Sequence, residues 1–155
     1  MFKNFFLIIL LVLTTSCGYD TIHSKSKKSN YDFSIEKIDF EGDREVNIKI
    51  KQNLNNYISK KEIKNYALKI KSNSTKKVIA KDSKGNPSIY NLEVQILVKI
   101  MEKNTIKEKI QLSKNYSYDY NIDTFELRRY EKKIKINLTE TVTKSLIFKF
   151  YSKII

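Results

Sequence analysis

The 155-residue chain has no tryptophan, one cysteine, one histidine, one proline and three glycines. A single cysteine leaves no disulfide framework and no cysteine-based zinc site. A single histidine, His23, removes triad and histidine-cluster chemistry. Three glycines cannot supply a phosphate-cradling loop, and no Walker, G-x-G-x-x-G, H-E-x-x-H or G-x-S-x-G pattern occurs. Acidic residues such as Asp82, Glu102, Asp119 and Asp123 stand singly, so no carboxylate pair can be named. The sequence therefore points away from an enzyme and implies no metal or cofactor. The length fits one domain with a tail and excludes a large multidomain protein.

Lysine, isoleucine, asparagine, tyrosine and phenylalanine are abundant and together fill 81 of the 155 positions. Their codons are AT-rich, so genomic composition alone raises all five. That discounts the formal net charge of +13 as evidence for an anionic partner. Where the charges sit says more. Only Arg44, Arg128 and Arg129 are arginine, against 27 lysines.

The N-terminus reads as a leader. Lys3 precedes Phe5 to Leu13, nine uninterrupted apolar residues, followed by Thr14-Thr15-Ser16-Cys17-Gly18. A spanning helix needs about 20 apolar residues, so this run is too short for one. A basic start, a short apolar run and small residues describe a secretory signal. The only cysteine lies directly after the small residues, which resembles a bacterial lipoprotein signal with Cys17 as the lipidated first residue of the mature protein. Thr14 departs from that pattern, which usually has Leu, Val or Ile there. Gly18, rather than Asp, fits sorting to the outer membrane. We expect residues 1–16 as signal peptide, 17–31 as a lipidated polar tether and 32–155 as one domain. Acyl chains on Cys17 would hold that domain on a membrane, since each buried methylene contributes about 0.8 kcal/mol.

Period changes predict the elements. Phe33, Ile35, Ile38 and Phe40 form a short strand, Gly42 turns the chain, and Asp43 caps a helix over residues 44–59 on Val46, Ile50, Leu54, Tyr57 and Ile58. Tyr66, Leu68 and Ile70 alternate as a second strand. Residues 72–87 read as a connection, with Val78–Ala80 extending a strand within it and a turn at Lys84-Gly85-Asn86-Pro87. Tyr90 through Ile100 alternates without a miss, the strongest strand signal in the chain. A fourth strand carries Ile106, Glu108, Ile110, Leu112, Lys114, Tyr116, Tyr118 and Tyr120 on one face, with tyrosines replacing aliphatics where the face meets a wet boundary.

Asp123 to Glu126 resembles a capping box opening a helix that runs to about residue 152, roughly 44 Å long. Tyr130, Ile134, Leu138, Val142, Leu146 and Phe150 step by four, with Leu127 alongside. The apolar end (Leu146 to Ile155) either folds onto its own domain or docks on a partner. The order β-α-β-β-β-α predicts an α+β fold with two helices packed on one face of a four-stranded sheet. Two basic groups stand out. One is the loop Lys76, Lys77, Lys81 and Lys84; the other is Arg128-Arg129 with Lys132, Lys133 and Lys135. Arginine forks bind phosphate bidentately, while lysine acts as a point charge. A solvated helix face is the plainer account of the second group.

Taken together, Cys17-Gly18-Tyr19, the tether, Gly85-x4-Tyr90-x-Leu92-x-Val94, the tyrosine-rich strand and the long last helix resemble the LPS-assembly lipoprotein family, LptE. The resemblance implies a non-enzymatic outer-membrane lipoprotein, lipid-anchored on the periplasmic face. It would plug and help assemble the LptD β-barrel and bind lipopolysaccharide during its insertion. It also implies LPS contact at Lys84, Arg128 and Arg129. Nucleic acid is not an expected partner, because a secretory signal exports the chain away from it. The competing expectation is a basic envelope lipoprotein that binds peptidoglycan or anionic lipid without a barrel.

Overall fold

The computed structural model describes residues 34–58, 64–120 and 123–154. The expected signal peptide, the tether, His23 and Cys17 lie outside the described residues.

Strand β1 (Ser34–Gly42) leads through Asp43 into helix α1 (Arg44–Leu54). Asp43 Oδ1 accepts from the backbone N–H groups of Glu45 (2.9 Å) and Val46 (3.2 Å), the capping expected from its position. Gly42 has φ of 99°, and a β-carbon there would stand 1.9 Å from the Ser72 carbonyl oxygen. Only glycine fits this close approach. The helix buries Val46, Ile50 and Leu54 and ends earlier than expected, in a 3-10 turn over Asn55–Tyr57. Ile58 leaves the helix in extended conformation and bridges Ile35. The apolar period therefore outlasts the helix itself.

Strands β2 (Asn65–Lys81), β3 (Pro87–Glu102) and β4 (Thr105–Asp119) complete a four-stranded sheet of order β1-β2-β3-β4. β1 and β2 are parallel, joined through α1, and the other neighbours are antiparallel. Residues 72–81, expected as a connection, are strand instead. They pair with β3 from Ser72↔Ile96 to Lys81↔Pro87, although their inward positions include Ser72, Ser74 and Lys76. Pairing, not hydrophobic alternation, holds this half of β2. β1 pairs with β2 only as far as Ser72, so Asn73–Lys81 forms an edge. Lys76, Lys77 and Lys81 sit on it, together with register shifts at Val78/Ala80 and Ala80/Lys81, features that discourage edge-to-edge association.

Helix α2 (Thr124–Ile154) lies against β3, β4 and α1, while α1 covers β1 and β2. Both helices thus pack on one face of the sheet, as the element order predicts. The core joins Leu68, Ile70, Val94, Ile96, Val98 and Ile100 from the sheet to Ile134, Leu138, Val142, Leu146 and Phe150 from α2. Two threonines are buried in this helix. Thr139 Oγ1 donates to the Lys135 carbonyl and Thr143 Oγ1 to the Thr139 carbonyl, both at 2.7 Å, so neither hydroxyl is stranded in the core. At the C-terminal end Phe150 meets Tyr66 edge-on at 5.3 Å, and Ile147 and Tyr151 pack against the core. Most of this apolar end folds onto its own domain. Phe148, 73% exposed, is the exception among the described residues. Among the described residues no helix is long and apolar enough to cross a membrane.

Candidate functional site

The β2–β3 turn, the end of β4 and the start of α2 all lie at one end of the sheet. Residues Asp82–Asn86 close the hairpin: Asp82 N–H donates to the Asn86 carbonyl (2.8 Å) and Gly85 N–H to the Asp82 carbonyl (3.0 Å). Gly85 supplies the left-handed residue, with φ of 86°. Asp82 Oδ1 accepts from the N–H groups of Lys84 and Asn86, both at 2.8 Å. These bonds, led by that from Asn86, hold the Asp82 carboxyl below its ordinary range. The turn is thereby fixed with Lys84 exposed on it.

On the facing side, Asp123 Oδ1 caps α2 by accepting from Phe125 N–H (2.9 Å) and Glu126 N–H (3.1 Å). Arg128 and Arg129 occupy the next turn, both exposed. Arg129 is partly engaged, with Nη1 3.0 Å from Glu126 Oε1 and its guanidinium 5.7 Å from the Phe125 ring centroid. No ion pair holds Arg128 among the described residues. The structure thus brings Lys84 and the arginine pair to the same end of the molecule, without a direct contact between them.

Where the end of β4 meets the start of α2 lies an open cleft of about 660 Å³, lined by Tyr116, Tyr118, Tyr120, Tyr130, Asp119 and Glu126, among others. An aromatic stack adjoins it through Tyr118. Tyr90 and Tyr118 are stacked at 5.8 Å, and Tyr130 meets Tyr118 edge-on at 5.9 Å. Tyr118 donates its hydroxyl to Glu131 Oε1 (2.8 Å), which also takes Lys76 Nζ (2.5 Å). The same Lys76 ammonium lies 4.0 Å from the Tyr90 ring centroid. Burial, then the hydrogen bond to Glu131, raises Tyr118 well above the ordinary phenol range. The tyrosines that the sequence placed at a wet boundary therefore form the wall of a cleft, and Tyr130, expected on the core stripe, lines it.

Besides Arg129, two members of the basic groups read from the sequence have structural work. Lys76 is held by Glu131. Lys135 pairs with Asp43 Oδ2 (2.8 Å) and Glu45 Oε2 (3.0 Å). Neither partnership has a local sequence signal, because the carboxylates come from distant elements. Lys84, Arg128, Lys132 and Lys133 remain exposed and without ion pairs among the described residues. No cluster of three or more His, Cys, Asp or Glu residues suited to a metal ion occurs among the described residues.

No protein-family model and no curated protein matches the chain. Solved structures do. The chain is similar to rare lipoprotein B from Shewanella oneidensis, with a TM-score of 0.54 and 11% identity over 76% of this chain and 98% of that one. It is similar also to a minor lipoprotein from Acinetobacter baumannii, with a TM-score of 0.53 and 14% identity over 72% and 87% of the two chains. Lipoprotein B from Nitrosomonas europaea gives a TM-score of 0.54 and 8% identity over 79% and 88%. At such identities the likeness is one of fold.

Proposed function

We propose that this chain is a lipid-anchored outer-membrane lipoprotein of the LPS-assembly type, which plugs and helps assemble an LptD-type β-barrel and binds lipopolysaccharide during its insertion. One observation carries the reading: the β1-α1-β2-β3-β4-α2 fold is shared along 98% of the length of rare lipoprotein B. The lipoprotein-like signal ending at Cys17 supports it from the other end of the chain. A plug inside a barrel needs a polar exterior to match a polar lumen. The sheet face away from the helices supplies one with Lys69, Lys99, Asn73, Gln95, Gln111 and Ser113.

The protein acts by binding and wedging and performs no reaction. Lys84 and the Arg128-Arg129 pair would take the phosphates of lipid A and the inner core. The tyrosine cleft beside the start of α2 offers rings and hydroxyls to sugars. The test is retention of purified lipopolysaccharide on immobilised protein. A Lys84→Ala, Arg128→Ala, Arg129→Ala variant should retain at least about tenfold less, since hydrogen bonds to charged groups contribute about 1.5–3 kcal/mol each. Unchanged retention would remove these residues from the site.

A further inference from the structure

A second basic feature lies on the open face of the sheet, far from the hairpin end. Lys69 of β2 stands directly opposite Lys99 of β3, and Lys99 stands directly opposite Lys109 of β4. Their neighbours Leu68, Ile70, Val98, Ile100 and Ile110 are all buried, so alternation sends the three lysines to the face that the helices leave bare. Like charges directly opposite one another in a sheet are unfavourable. Here two such pairs share one rung.

Nearby carboxylates relieve it only in part: Lys71 chiefly, and Lys99 more weakly, hold the Glu41 carboxyl below its ordinary range. Asp39 continues the rung on β1, but its ion pair is with Lys37 at 3.0 Å. Glu41, one rung along, is bound to Lys71 at 2.8 Å. Those two pairs are neutral, and none of Lys69, Lys99 and Lys109 has an ion pair among the described residues. Beyond those two pairs the patch keeps a net excess of three positive charges. A cavity of about 360 Å³ opens there, lined by Asp39, Glu41, Lys69, Lys71, Leu97 and Lys99 among others. Ala67 and Met101 flank the rung on one side and Leu97 on the other.

We propose that this lysine rung is a binding site for a phosphate-bearing ligand with multiple charges. Strands are about 4.8 Å apart, so the three stems span roughly 10 Å, the reach of two linked phosphate groups. A single carboxylate would leave two of the three charges unmatched, whereas a pyrophosphate or a lipid phosphomonoester comes closer to balance. Lys99 is twelve residues along β3 from Pro87, about 40 Å at ~3.3 Å per residue, so the site is distinct from the Lys84 end. It does not depend on the envelope function proposed above.

The experiment is thermal melting of the full-length protein in pyrophosphate against sodium chloride at matched ionic strength. Binding to the folded state raises Tm by mass action. Saturating pyrophosphate should raise wild-type Tm by about 3 °C over chloride. Lys99→Gln and, separately, Lys109→Gln should lose most of that rise while melting higher than wild type at low salt, because repulsion is relieved. Lys51→Gln, an exposed lysine of α1 outside both basic sites, should keep the full rise. Monomeric dihexanoyl phosphatidic acid forms a parallel arm. A larger rise than with pyrophosphate assigns the site to a lipid headgroup; an equal or smaller one assigns it to free phosphates. No rise in wild type, or the same rise in both rung variants, overturns the proposal.

Discussion

Lys135 Nζ lies 2.8 Å from Asp43 Oδ2, so the residue that caps α1 is also the anchor for α2. Asp43 holds four partners at once: two backbone N–H groups through Oδ1, and Ser74 and Lys135 through Oδ2. Burial alone would raise its pKa. The hydrogen bonds from Lys135, Ser74 and Val46 outweigh burial and bring it down to about 2. Asp43 is thus an electrostatic hinge pin between both helices and β2.

That depression has a pH signature. A carboxyl with a folded pKa below its unfolded value of 3.8 contributes stability that is fully present above pH ~4 and lost as pH falls towards 2. The linked contribution is roughly 2 kcal/mol. Melting from pH 6 to pH 2 should show an acid limb in the wild type, and Asp43→Asn should flatten it while lowering Tm at pH 6.

Gly42 and Gly85 both have positive φ but differ in surroundings. A β-carbon at Gly42 meets the Ser72 carbonyl at 1.9 Å, whereas at Gly85 nothing lies within 4 Å. Gly85→Ala should cost about 1 kcal/mol, the strain of a left-handed residue alone. Gly42→Ala should cost several times more or prevent folding. Urea unfolding of both variants distinguishes these outcomes.

Leu146 and Phe148 are two residues apart on α2 but face different surroundings, being 2% and 73% exposed. Leu146→Ala should lose about 2–5 kcal/mol by leaving a cavity. Phe148→Ser should change stability by less than about 0.5 kcal/mol. If Phe148 contributes to a barrel contact, the serine variant will weaken partner recovery with an unchanged melting curve.

Tyr118 should be among the last phenols to ionise, because it is buried and bound to the Glu131 carboxylate. Spectrophotometric titration of Tyr118→Phe should lose absorbance change at the alkaline end of the curve. Loss from the ordinary phenol range near pH 10 would contradict the buried placement.

The apolar row of β3 at every second residue and the four-step stripe of α2 are legible because one face of each is buried along nearly its whole length. The upper half of β2 is not. Ser72, Ser74 and Lys76 give no apolar rhythm, and only the partner strand β3 makes that segment extended. The expected α1 is longer than the observed one because Tyr57 and Ile58 prolong its period after the chain has left the helix. At the candidate site, the chemistry of Lys84, Arg128 and Arg129 could be named from residue type. Their gathering at one end needed the topology. Lys76 and Lys135 looked available until Glu131, Asp43 and Glu45 arrived from other elements. The lysine rung is invisible in sequence, because Lys69, Lys99 and Lys109 meet only through strand register.

The most direct measurement is affinity purification of the tagged, membrane-extracted protein in mild detergent, with native partner identification by mass spectrometry. The account predicts a stoichiometric complex with a large LptD-type β-barrel, carrying lipopolysaccharide. Recovery of the protein alone, or bound to peptidoglycan without a barrel, would contradict it.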